Sequence, residues 1–131
     1  MNALATHFLV EMHECNHKIL SDTGWIRYFM ITAAEEAGVI VVNTSWNKFN
    51  PVGFSGAIFI EKLHLTIHTW PEYNYAAVDI FTCGDVIKPE VAAKYLIRQF
   101  ESKNPSIIEI KRGLLLTDNE ELPYKPVDSY S

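Results

Sequence analysis

The chain has 131 residues, is 48% hydrophobic and 12% aromatic, and carries a formal net charge of -5 at pH 7. That balance fits one compact domain with a sizeable core and excludes a chain that is disordered throughout. No run of Lys or Arg is long enough to track a phosphate backbone, which argues against nucleic acid, and no stretch is apolar for the ~18 residues a membrane span needs.

The N-terminus enters an alternating segment containing His7 and Glu11, not the apolar run of a signal peptide. Cys15 and Cys83 are therefore read as reduced thiols of a cytoplasmic protein, although the pair could in principle bridge. Ala5 to Glu14 reads as a strand with Phe8, Val10 and Met12 on one face. Asp22 is placed to cap a helix whose stripe is Ile26, Phe29, Met30, Ala33, Ala34 and Ala37, with Gly38 as its stop. Val39 to Thr44 is β-branched and strand-like. Gly56 to Glu61 and Leu63 to Trp70 read as paired strands, and Tyr75 to Cys83 as another. Pro89 opens a second helix, with Ala92, Ala93, Leu96, Ile97 and Phe100 as its apolar face. Ile107 to Lys111 reads as a last short strand, and the chain is polar from Leu114 on.

The order β-α-β-β-β-β-α-β has too few helices to cover both faces of a sheet. It predicts an α/β (α+β) two-layer sandwich with helices on one face, a domain over 1–113 and a surface-draped or mobile tail over 114–131. The uncovered face predicts a homodimer.

Alternation on Leu63 to Trp70 puts His64, Thr66, His68 and Trp70 on one face. Two histidines two apart on a strand suit a metal, but no third ligand stands at a recognisable spacing, so no metal site is expected. Cys83 taken alone reads as a small buried hydrophobe, and Phe49 beside the Pro51/Gly53 turn reads as packing.

Together these residues are more specific. The run His64-Leu65-Thr66-Ile67-His68-Thr69-Trp70-Pro71-Glu72-Tyr73, continuing through Tyr75-Ala76-Ala77-Val78-Asp79 to Phe81-Thr82-Cys83-Gly84, resembles the signature of prokaryotic S-adenosylmethionine decarboxylases. Gly53-Phe54-Ser55-Gly56 is similar to the same family's GxSG turn, and His7, Glu11 and Cys15 resemble its start. The resemblance implies the two-layer sandwich and a dimer with sites assembled between protomers. It also implies a proenzyme that cuts itself at a Glu-Ser bond, turning the serine into a pyruvoyl group that serves as an electron sink for decarboxylation in spermidine synthesis. By the same resemblance Phe49 stacks on adenine, Glu72 holds polar groups of the ligand with His68 nearby, Ser55 and His68 assist processing, and Cys83 is the acid that reprotonates carbon.

The chain departs from that pattern at Lys62-Leu63-His64, where the family reads Glu-Ser-His. Leucine has neither a nucleophile for self-cleavage nor a β-substituent to eliminate, so no pyruvoyl cofactor is expected. The first reading is an uncut, non-decarboxylating protein of polyamine biosynthesis that binds S-adenosylmethionine or an analogue, in a sensing or regulatory role. The alternatives are a non-catalytic subunit pairing with an active paralogous decarboxylase, and an active decarboxylase with another cleavage site or cofactor.

Overall fold

The computed structural model describes residues 2–41, 43–60, 62–84 and 87–115. Strands β1 (Asn2–His13), β2 (Asn43–Lys48), β3 (Phe54–Ile60), β4 (Leu63–Trp70), β5 (Tyr75–Cys83) and β6 (Asn104–Leu115) form one sheet in the order β2-β3-β4-β5-β1-β6. Every neighbouring pair is antiparallel. The described residues also form helices α1 (His17–Leu20), α2 (Thr23–Glu36) and α3 (Pro89–Gln99) and a 3-10 turn at Pro71–Tyr73. The segment holding α1 and α2 carries the chain from the sheet interior to the β2 edge. The α3 segment carries it from β5 past β1 to the β6 edge.

The helices form where the sequence predicts them. The Asp22 carboxylate accepts the Trp25 N–H at 3.2 Å, which caps α2. Ile26, Phe29, Met30, Ala33, Ala34 and Ala37 are all buried. Pro89 occupies the first turn of α3, where its missing N–H costs nothing, and Phe100 is fully buried as the helix ends. Phe8, Val10 and Met12 of β1, Leu63, Leu65 and Ile67 of β4, and Val78 and Ile80 of β5 share one apolar core with α2 and α3. The helices thus lie on one face, and none covers the other among the described residues. The result is the predicted two-layer sandwich.

Four boundaries differ from expectation. The strand read over Gly56 to Glu61 starts two residues earlier and runs Phe54–Ile60, with Glu61 outside the described residues. The strand read over Val39 to Thr44 begins at Asn43. Gly38, at φ 110, donates to the Glu35 carbonyl at 3.0 Å, and Val39 donates to the Ala34 carbonyl at 3.3 Å. This closure of α2 uses the Val39 N–H that a strand would need. The first strand runs Asn2–His13 and ends before Glu14, whose φ of 55 turns the chain out of the sheet. The last strand is Asn104–Leu115, far longer than Ile107 to Lys111, and includes Leu114, assigned above to the tail. Pro105 is tolerated there because β6 is an edge strand. Two short elements carry no periodic signal in the sequence: α1, capped by the Asn16 side chain, and the 3-10 turn after Trp70. The tail from 116 onward lies outside the described residues.

Candidate functional site

The register of β4 positions the site. Its odd residues, Leu63, Leu65, Ile67 and Thr69, are buried toward the helices, while His64, Thr66, His68 and Trp70 emerge on the helix-free face. Ser55 lies directly opposite His68 across the β3–β4 pair, and Tyr75 opposite Trp70 across β4–β5. Near the Trp70 end, the Phe49 N–H donates to the Gly53 carbonyl at 2.9 Å, closing the turn between β2 and β3. Gly53 sits at φ 111, a conformation that favours glycine. The buried Thr69 hydroxyl accepts the Phe54 N–H at 3.0 Å and donates to the Phe54 carbonyl at 3.3 Å, which ties the turn to β4.

These constraints form a cavity of about 330 Å³ at this end of the sheet, lined by Phe49, Val52, His68, Thr69, Trp70 and Glu72 among others. Phe49 is 47% exposed and Trp70 40%, so aromatic surface is open to a ligand. His68 also borders a smaller hollow of about 160 Å³ with Ser45, Asn47, Ser55 and Thr66. The structure thus brings Phe49, His68 and Glu72 to one pocket, with Ser55 beside His68.

Cys83 is elsewhere. It ends β5, half-buried, and its N–H donates to the Lys62 carbonyl at 2.9 Å. That places it beside the turn that enters β4 at Leu63. At about 3.3 Å per residue, Leu63 and Trp70 stand roughly 23 Å apart along the strand. Within one protomer, Leu63 and Cys83 therefore occupy one end of the sheet, and Phe49, His68 and Glu72 the other. Leu63 itself is 3% exposed, with its side chain in the core. Cys15, buried on the helix side, is also a free thiol, and burial pushes it up to about 11, with Ser102 opposing.

Between the two ends lies a polar and aromatic network that sequence reasoning did not assemble. His7 Nε2 stands 3.5 Å from Asp79 Oδ1, close enough to attract but without hydrogen-bond geometry, so among the described residues this buried nitrogen lacks a hydrogen-bond partner. Thr66 donates to Asp79 at 3.4 Å. His64 stacks on Phe81 at 5.2 Å between ring centroids. Burial holds His64 below the ordinary histidine value, and the nearby His7 adds to that effect while Asp79 opposes it. The Tyr75 hydroxyl donates to Glu11, and His13 stacks on the Tyr75 ring at 4.7 Å. Burial, then the hydrogen bond to Glu11, pushes the Tyr75 phenol up to about 12. The helix-free face thus combines histidine, carboxylate and aromatic groups with the exposed Ile108 and Ile110 of β6, which lie opposite Leu9 and His7. Alternation predicts which side chains share a face. The cross-strand register that joins His7 to Asp79 carries no local signal. Among the described residues no three His, Cys, Asp or Glu side chains converge on a metal position. No helix among them is long and apolar enough to cross a membrane.

The fold and the pocket define a two-layer α/β sandwich with a candidate small-molecule site at one end of its sheet. The chain belongs to the S-adenosylmethionine decarboxylase family, whose sequence model matches residues 6–113. It is 50% identical over 125 residues to an S-adenosylmethionine decarboxylase proenzyme of Thermodesulfovibrio yellowstonii, covering 95% of this chain and 93% of that one. A proenzyme of the same description from Clostridium kluyveri is 46% identical over 114 residues, covering 87% of this chain and 90% of the relative. Among solved structures, the adenosylmethionine decarboxylase of Aquifex aeolicus is similar with a TM-score of 0.83 and 27% identity, covering 92% of this chain and all (100%) of that one.

Proposed function

We propose that this family member is an uncut, non-decarboxylating protein that binds S-adenosylmethionine, or a close sulfonium or thioether analogue, in a regulatory or sensing role linked to polyamine biosynthesis. The observation that carries this reading is Leu63. The family's resemblance calls for a serine at this position, as the source of a pyruvoyl group. Leu63 has no hydroxyl to attack the preceding carbonyl, and its side chain is sealed in the apolar core at 3% exposure. The residue does not fit that cofactor, and Thr66 and Ser55 carry their hydroxyls at other positions of the motif.

Ligand binding does not depend on the missing group. Phe49 offers an aromatic face suited to adenine or to a sulfonium cation, and Glu72 offers a carboxylate beside it. The separation of Phe49, His68 and Glu72 from Leu63 and Cys83 supports a homodimer. Two copies meeting through the helix-free faces in opposite directions would set one end of each sheet beside the other end of its partner. A second reading rests on the same separation. This chain keeps the Phe49, Ser55, His68 and Glu72 half, so as a non-catalytic subunit it could complete the site of an active decarboxylase.

Titration calorimetry with S-adenosylmethionine tests the ligand. Wild type is expected to bind, and Phe49→Ala to bind at least roughly tenfold more weakly, about 1.4 kcal/mol. Absence of heat at millimolar ligand would sink the ligand reading and leave the subunit reading standing.

A further inference from the structure

Lys62 occupies the turn into β4 and is exposed. Its carbonyl accepts the Cys83 N–H at 2.9 Å, which fastens this turn to the end of β5. Beyond Cys83, no atom of the described residues other than its chain neighbours lies within 4 Å of where a Gly84 side chain would project. One corner of the sheet therefore carries an ammonium-bearing side chain and a half-buried thiol. Leu63 points away from that corner into the core.

We infer that Lys62 is a specificity-determining residue that pairs with the carboxylate of the ligand's amino-acid end, so that the site selects ligands that have kept that carboxylate. The inference rests on the proposed function and its two-copy site, in which this corner meets the Phe49 and Glu72 pocket of the other protomer. The chemistry is opposite to that of a ketone. A ketone condenses with the ligand's amino group, whereas a lysine ammonium repels that group and attracts the carboxylate next to it. Where the family resemblance calls for an acidic residue, which would repel a carboxylate, this chain places a base. The substitutions at 62 and 63 thus act in one direction, from removing the carboxylate to holding it.

The magnitude depends on shielding. An ammonium–carboxylate pair in open solvent gives only a few-fold preference, while a pair enclosed between two protomers gives roughly tenfold or more. Calorimetry on the full chain with S-adenosylmethionine and with decarboxylated S-adenosylmethionine, which differ only in the carboxylate, reads the ratio directly. The expected result is a preference of about tenfold for S-adenosylmethionine in wild type, falling to within about twofold in Lys62→Gln. Equal affinities in wild type would overturn the role of Lys62 and leave the ligand reading intact. A ratio that survives Lys62→Gln would overturn it too, including the case where both ligands weaken together. If neither ligand bound the wild type, the ligand reading and this inference would fall together.

Discussion

Leu63 lacks the nucleophile that self-cleavage needs, and its side chain is part of the core, paired across the sheet with the buried Thr82. Restoring the family's pair with Lys62→Glu and Leu63→Ser should permit at least slow self-cleavage if Ser55 and His68 still act together, since they face each other across β3 and β4. The same change removes buried methyl groups, at a cost of roughly 2–4 kcal/mol. The double variant is therefore expected to unfold at lower denaturant than wild type, and circular dichroism must show it folded before its processing is scored. A folded double variant that stays whole for days would show that the surroundings have drifted along with residue 63. At this scale the sequence was informative about identity and face. It placed His64, Thr66, His68 and Trp70 together, and it flagged Phe49 and Glu72 through resemblance. It was silent on which strands bring His7, Asp79 and Glu11 beside them.

At the scale of elements, legibility followed the strength of the pattern. Strands β4 and β5 alternate strictly and are bounded by turn residues, and the pattern marks both of their ends. Strand β2, Asn-Thr-Ser-Trp-Asn-Lys, is a mostly exposed edge with no alternating apolar signal, so the neighbouring valines drew the assignment upstream. Its place is fixed by packing that spacing alone does not reveal. Trp46 lies opposite Gly56 and stacks on Phe54 at 5.9 Å. A Cβ on Gly56 would stand 2.1 Å from a Trp46 ring atom, a distance that requires the indole to leave. Gly56→Ala is accordingly expected to destabilise the fold by roughly 1–3 kcal/mol and to shift Trp46 fluorescence toward that of a solvated indole. Unchanged stability and emission would mean that the hairpin accommodates the methyl without moving Trp46. The same hairpin supplies Phe49 and Ser55, so the substitution should also weaken ligand binding.

At the scale of the whole molecule, strand order decides what one protomer can do. The order β2-β3-β4-β5-β1-β6 places the hairpin pocket beside one end of β4, while Leu63 lies at the other. Element prediction gives the layers but not this order, because the order depends on two long crossovers whose landing points no local pattern encodes. A helix-free face lined by His7, His64, Tyr75, Asp79 and Phe81, together with sites split between sheet ends, predicts a dimer. Light scattering at micromolar concentration should report twice the chain mass, and a monomer would contradict the two-copy site.

The central claim is that this chain remains one polypeptide, and intact-protein mass spectrometry of the purified full-length protein tests it most directly. A single species at the full 15.0 kDa is the predicted result. Two fragments, the larger with its N-terminus blocked by a ketone, would contradict it and restore the protein to the self-processing decarboxylases.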